Sequence, residues 1–182
     1  MVLKRSSEMV LKCKIVSIGI DPGTSKESPL TATYLDAKDS KQIEFFQGHL
    51  KIKKEDEVPY IRLLPLYINL RTWLAKVIYT IKEDELLNII IEQPISVQNG
   101  KTTILLAQMN LLIQMACHKE AGAIGGKVRL VGVGTWKKAI LGKGNFKKDQ
   151  VLKEVYKKWQ MDFDSNDKAD AYCLARYGFL EC

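Results

Sequence analysis

The stretch that most constrains the fold is Ile15 to Gly23, IVSIGIDPG. A run of apolar and β-branched residues is followed by Asp21 and then by the turn pair Pro22-Gly23. Such a short, nearly continuous apolar run reads as a strand buried on both faces, which places helices above and below its sheet. Pro-Gly stops the pairing, so Asp21 is held at a rigid strand tip with its oxygens facing out of the sheet. Leu86 to Ile91, LLNIII, repeats this grammar and ends in Glu92-Gln93-Pro94. One strand-end acid is an ordinary turn or cap residue. Two on neighbouring buried strands are costly unless paired or bound to a cation.

Around these two strands the remaining elements follow from periodicity and punctuation. Leu30 to Lys38 and Gln42 to Leu50 read as a second and a third strand, joined by the polar connection Lys38-Asp39-Ser40-Lys41 in a meander. From about Tyr60 to Ile81 apolar residues recur at helical spacing, with Pro65 early, where a first turn or slight kink tolerates it. Thr102 or Thr103 is positioned to cap a second helix that is apolar over more than one stripe. Val128 to Val133 is the last strand and, following a long helix, lies parallel to its predecessor. Thr135 caps a short helix through Leu141, Phe146 to Trp159 forms a lysine-rich helix, and Ser165 or Asn166 caps a final helix to about Leu180. The expected architecture is α/β: a mixed five-stranded sheet, made of a three-strand meander plus two parallel strands, flanked by helices.

The 182 residues fit one domain of ordinary size. Residues 1–13 read as a loose arm without the continuous apolar centre of a secretory signal, and residues 14–182 as the single domain. No segment approaches the roughly 20 apolar residues of a membrane span. Cys13, Cys117, Cys173 and Cys182 stand far apart, which suggests neither a zinc cage nor a disulfide framework and points to a reducing, cytoplasmic interior. The formal net charge of +7 suggests a polyanionic partner. Most of that excess is local: between Trp136 and Gln160 eight lysines face two acids, Asp149 and Glu154.

Two further acids complete a set. Asp167 and Asp170 stand three apart in the first turns of the last helix and so face the same way. Small Ala169 and Ala171 allow that helix to lie close to the sheet and bring both acids toward Asp21 and Glu92. Four clustered carboxylates repel one another and resist ionising unless cations neutralise them. An all-oxygen set selects hard cations, magnesium first and manganese as a substitute. Two such ions roughly 4 Å apart suit phosphodiester hydrolysis, with Asp21 the candidate bridge between them.

The order Asp21-Pro22-Gly23 on the first strand, Glu92-Gln93 on a later one and Asp167-x-x-Asp170-Ala171 on the final helix resembles the RuvC family of Holliday junction resolvases, within the RNase H-like nucleases. The resemblance covers nearly the whole chain after the arm. It implies an RNase H-like fold and a homodimer that resolves four-way DNA junctions by paired symmetrical nicks. The implied catalytic and metal-binding residues are Asp21, Glu92, Asp167 and Asp170, with two Mg2+ per site. The segment from Trp136 to Val151 resembles the lysine-bearing stretch of that family, which implies phosphate contacts from Lys137 and Lys148. Lys138, Lys143 and Lys147 extend this basic DNA-binding surface, and Lys148 could also stabilise developing charge. Gln108 matches a glutamine of the family's dimerisation helix, so Leu105, Gln108, Leu112 and Met115 are the expected dimer contacts.

Ser28-Pro29-Leu30-Thr31-Ala32 departs from the small glycine pair often found in that family. The loop from Ser96 to Lys101 lacks a junction-wedging aromatic, in keeping with a divergent member of phage or viral origin. The same fold could instead serve flaps, forks or RNA-DNA hybrids. The Asp21-Pro22-Gly23-Thr24 turn also matches the phosphate loop of sugar kinases and actin, but those proteins close two such domains around ATP, for which this chain is too short.

Overall fold

The computed structural model describes residues 14–22, 30–36, 43–48, 59–94 and 100–180. The strands are β1 (Lys14–Asp21), β2 (Leu30–Asp36), β3 (Ile43–Gly48), β4 (Glu85–Glu92) and β5 (Lys127–Val131). The helices are α1 (Pro59–Tyr79), α2 (Gly100–Gly122), α3 (Val133–Leu141), α4 (Lys148–Trp159) and α5 (Asn166–Gly178). The five strands form one sheet in the order β3-β2-β1-β4-β5. β1 to β3 make the antiparallel meander, while β4 runs parallel to β1 and β5 parallel to β4. This is the mixed sheet expected from the residue pattern. The N-terminal arm, the turn from Gly23 and the loop that begins at Ser96, up to the start of α2, lie outside the described residues.

Alternation along the central strands sorts the core into two layers. Val16, Ile18 and Ile20 of β1, with Leu87, Ile89 and Ile91 of β4, face α1 and α2 and pack on Leu63, Leu70, Leu74, Met109 and Ile113. Ile90 of β4 faces the opposite side, where Trp136, Ile140, Val151, Val155, Tyr172 and Leu174 from α3, α4 and α5 complete a second apolar cluster. Ser17, Gly19 and Asp21 alternate with the first set on β1 and therefore lie under the second layer.

Three helix starts differ from the residue-level expectation. Gly132, in extended conformation, precedes α3, so Thr135 lies inside the helix and does not cap it. Helix α2 begins at Gly100, ahead of Thr102 and Thr103. Helix α4 begins at Lys148, two residues after Phe146, where the Lys147 amide donates to Gln150 Oε1 at 2.9 Å. The expected cap of α5 is present: Ser165 Oγ accepts from the Lys168 amide at 3.3 Å.

Helix α5 is pressed onto the sheet at two glycines. A Cβ at Gly19 would fall on the Ala171 carbonyl and the Ala175 amide, and one at Gly178 would fall on Ser17 Oγ. The fit is pinned at its far end by Asn88, whose Nδ2 donates to the Gly178 carbonyl at 2.8 Å. Backbone cannot yield as a flexible side chain can, so Gly19→Ala must displace the helix. A loss of about 3 kcal/mol in urea unfolding is expected, the upper range for overpacking a core. A Gly19→Ala protein as stable as the parent would refute this account of the helix–sheet contact.

Candidate active site

The parallel pairing of β1 and β4 aligns Ile20 with Ile91, so Asp21 and Glu92 follow as neighbours at the carboxyl ends of adjacent strands. Open α/β sheets bind their ligands at this end of the strands. The tight seat of α5 over Gly19, two residues before Asp21, brings Asp170 down over the same strand end. Asp21 and Asp170 are both buried. Asp167, one turn earlier, is more open, and its Oδ1 lies 3.8 Å from Lys148 Nζ at the start of α4. The structure thus gathers all four acids and Lys148 within electrostatic reach of one another.

The proximity is registered in proton affinity. Burial above all, then repulsion from Glu92, Asp170 and Asp167, holds the Asp21 carboxyl well above the usual range, with Lys148 pulling the other way. Burial also raises Glu92, against a hydrogen bond from Trp136 and the charges of Lys137 and Lys148. Asp170 is pushed up to about 7, chiefly by burial, with Lys137 opposing that shift. Its Oδ1 is buried without a hydrogen-bond partner.

Glu92 is fixed from several directions. Trp136 Nε1 donates to Glu92 Oε2 at 2.8 Å. The Glu92 carbonyl accepts from Asn110 Nδ2 at 3.5 Å, and the next amide, Gln93, donates to the Val131 carbonyl at 2.8 Å. Trp136 and Asn110 were not among the residues expected to serve the site. Trp136 is fully buried, and a buried indole N–H seeks an acceptor, which was the available signal.

Lys137, a candidate for phosphate contact, is set into the protein and not on its surface. It is 7% exposed, and its Nζ donates to the Phe146 carbonyl at 3.2 Å and sits 5.3 Å from the Trp136 ring centre. It therefore acts as an internal cation for Glu92 and Asp170. Lys138, Lys143, Lys147 and Lys148 are exposed, and of these it is Lys148 whose charge reaches the acids.

The expected dimer contacts divide in two. Leu105 and Leu112 are partly buried and pack against the core. Gln108 and Met115 point outward and join Ile104 and Leu111 in one stripe, with Ile104 61%, Leu111 58% and Met115 52% exposed. A helix apolar on every side offers no phase, so its buried stripe could not be told from its outer one by pattern alone.

Among the described residues no three His, Cys, Asp or Glu side chains close into a ready-made metal cage. The acids nevertheless fit hard cations: the donors are all oxygens, Asp170 Oδ1 is buried without a partner, and burial with mutual repulsion penalises their ionised forms until positive charge arrives.

Neither a family model nor a curated protein matches the sequence. Solved structures do match. Thermus thermophilus RuvC has a TM-score of 0.61 at 17% identity, over 88% of this chain and 90% of that one. RuvC of the same organism in complex with a Holliday junction substrate gives 0.62 at 16% identity, over 91% and 94%. The yeast mitochondrial Holliday junction resolvase Ydc2 gives 0.52 at 16% identity, over 87% and 76%. The chain is thus structurally similar to these resolvases over about nine tenths of its length and has their RNase H-like fold. Among the described residues, no helix is long and apolar enough to cross a membrane.

The raised acids set a direction for stability. Where the unfolded chain is also protonated, below about 3.8, Asp170 carries no penalty; as pH climbs through about 7 the unfolded chain releases its proton first and stability is lost. In EDTA, the protein is expected to melt at a lower temperature at about pH 8 than at about pH 5, and Asp170→Asn to reduce that difference. Melting curves of the two proteins that keep the same pH dependence would exclude Asp170 as its source.

Proposed function

We propose that residues 14–182 form one nuclease domain that cuts branched DNA, four-way junctions above all, by metal-dependent phosphodiester hydrolysis in a reducing cell interior. The observation that carries this reading is the convergence of Asp21, Glu92, Asp167 and Asp170, with Lys148 beside them, at the carboxyl ends of β1 and β4 in a resolvase-like fold. Fold likeness by itself is an analogy, and the chemistry of the site is what turns it toward phosphodiester cleavage.

Asp21, Glu92, Asp167 and Asp170 would hold a pair of Mg2+ or Mn2+ ions. When bound, these would activate a water and stabilise the leaving 3′ oxygen. The residues around them have separable tasks. Asp21 is rigid because its strand is central and paired on both sides. Trp136 occupies one oxygen of Glu92, which leaves the other free to take a cation. Lys148, exposed at the first turn of α4, can pair with a non-bridging phosphate oxygen. Lys137 balances Glu92 and Asp170 from inside. Lys138, Lys143 and Lys147 supply a sequence-independent grip on the backbone, so binding should weaken steeply with salt.

Paired cuts in a symmetric junction require a two-fold dimer, and the stripe of Ile104, Gln108, Leu111 and Met115 is the surface we assign to it. Exposed apolar residues in line on one helix are the usual mark of a protein interface.

Asp21→Asn is expected to reduce cleavage in Mg2+ by about 1,000-fold or more, as the loss of charge stabilisation at a reacting centre does. Junction binding in EDTA should be kept or improved. Cutting at the parental rate would remove the metal-site assignment. With labelled four-way junction, flap, duplex and RNA-DNA hybrid side by side, symmetrical nicks confined to the junction support the resolvase, whereas preferred hybrid cleavage would reassign the substrate. Leu111→Glu is expected to convert a dimer to a monomer in sedimentation and to turn paired nicks into single ones. An unchanged dimer would place the interface elsewhere.

A further inference from the structure

The layer beneath α5 contains three hydroxyls that the core has no evident use for. Ser17, Thr31 and Thr33 are wholly buried, and among the described residues none of their side-chain oxygens has a hydrogen-bond partner. A buried hydroxyl without a partner is a net cost, and valine offers threonine's shape without that cost. Register separates the three. Ser17 is opposite Leu35, Thr33 is opposite Gly19, and Thr31 is opposite Asp21. Directly opposed residues of an antiparallel pair share a face, with Cβ atoms about 5 Å apart. A threonine Oγ1 at that separation reaches the neighbouring carboxylate by a change of χ1 rotamer.

We propose that Thr31 is a positioning residue for Asp21, its hydroxyl donating to the carboxylate once that carboxylate carries a divalent cation. The inference rests on the metal-nuclease reading and deepens it. Asp21 is the most buried of the four acids, and a carboxylate holding a cation through one oxygen retains lone pairs for an orienting donor. Trp136 already fills that office for Glu92. Thr31, on the strand beside β1, would do the same for Asp21 from within the sheet. Thr33, on the same face but opposite a residue without a side chain, provides an internal control.

Calorimetric titration with MnCl2 in the absence of DNA, together with melting in EDTA, tests this on the parent, Thr31→Val, Thr31→Ser and Thr33→Val proteins. Thr31→Val is expected to bind Mn2+ about 10-fold more weakly, the lower range for removing a group that orients a metal ligand. Its melting temperature without cation should be equal to the parent's or higher. Thr31→Ser should bind within about 2-fold of the parent, because the donor is kept. Thr33→Val should bind as the parent does. Unchanged Mn2+ affinity in Thr31→Val, or equal weakening in Thr31→Val and Thr33→Val, would overturn the assignment while leaving the nuclease reading intact. If the parent itself takes up no Mn2+, the nuclease reading fails and Thr31 with it. Should Thr31→Val not fold, Thr31→Ala carries the same expectation for affinity.

Discussion

The contact on which the rest of the molecule depends is the seat of α5 against β1. Gly19 on the strand lets the helix backbone at Ala171 and Ala175 come directly onto it, and Gly178 near the helix end leaves room for the Ser17 side chain, so the separation is set by hard atoms. A helix held this way has little freedom to rise, and Asp170 is carried down beside Asp21 as a consequence. Burial of both acids follows from the same contact, and burial is the leading cause of their raised proton affinity. Geometry and electrostatics therefore have one origin, the absence of a methyl group at Gly19.

That arrangement works against folding in the absence of a cation. Uncompensated carboxylates in a shared site are tolerated where something else stabilises the state in use, and proteins commonly give up stability at their working sites. The compensation already present is modest: a buried ammonium from Lys137, an exposed one from Lys148 and an indole donor from Trp136. The remaining deficit is what the proposed divalent cations would relieve, and the apolar layer formed by α1 and α2 on the opposite face offsets it.

Much of this was legible in the residues. The two central strands announced themselves because they are buried on both faces, and each ends in an acid with a proline one or two residues beyond it. Asp167 and Asp170 were readable because three-residue spacing has one meaning on a helix. The meander and the two parallel strands followed from a short polar connection and from the long helices between strands. What escaped was whatever depends on contact between distant segments. Trp136 and Glu92 are 44 residues apart, and nothing local marks the indole as a donor to that acid. Lys137 sits in a run of lysines, where composition speaks for solvent, yet the phase of a nine-residue helix turns it inward. Helix α2 concealed its outer stripe because its apolar residues surround it.

Trp136 and Lys137 are adjacent on α3, and one holds Glu92 by a hydrogen bond while the other balances it by charge. Consecutive helical positions differ by about 100° in direction, so these two tasks can be met together in one rotational setting of α3. The connection from β5 into α3 is a single residue, Gly132. A residue gained or lost there would turn both groups away from the acid at once, so the length of one short connection fixes two of the contacts that hold Glu92.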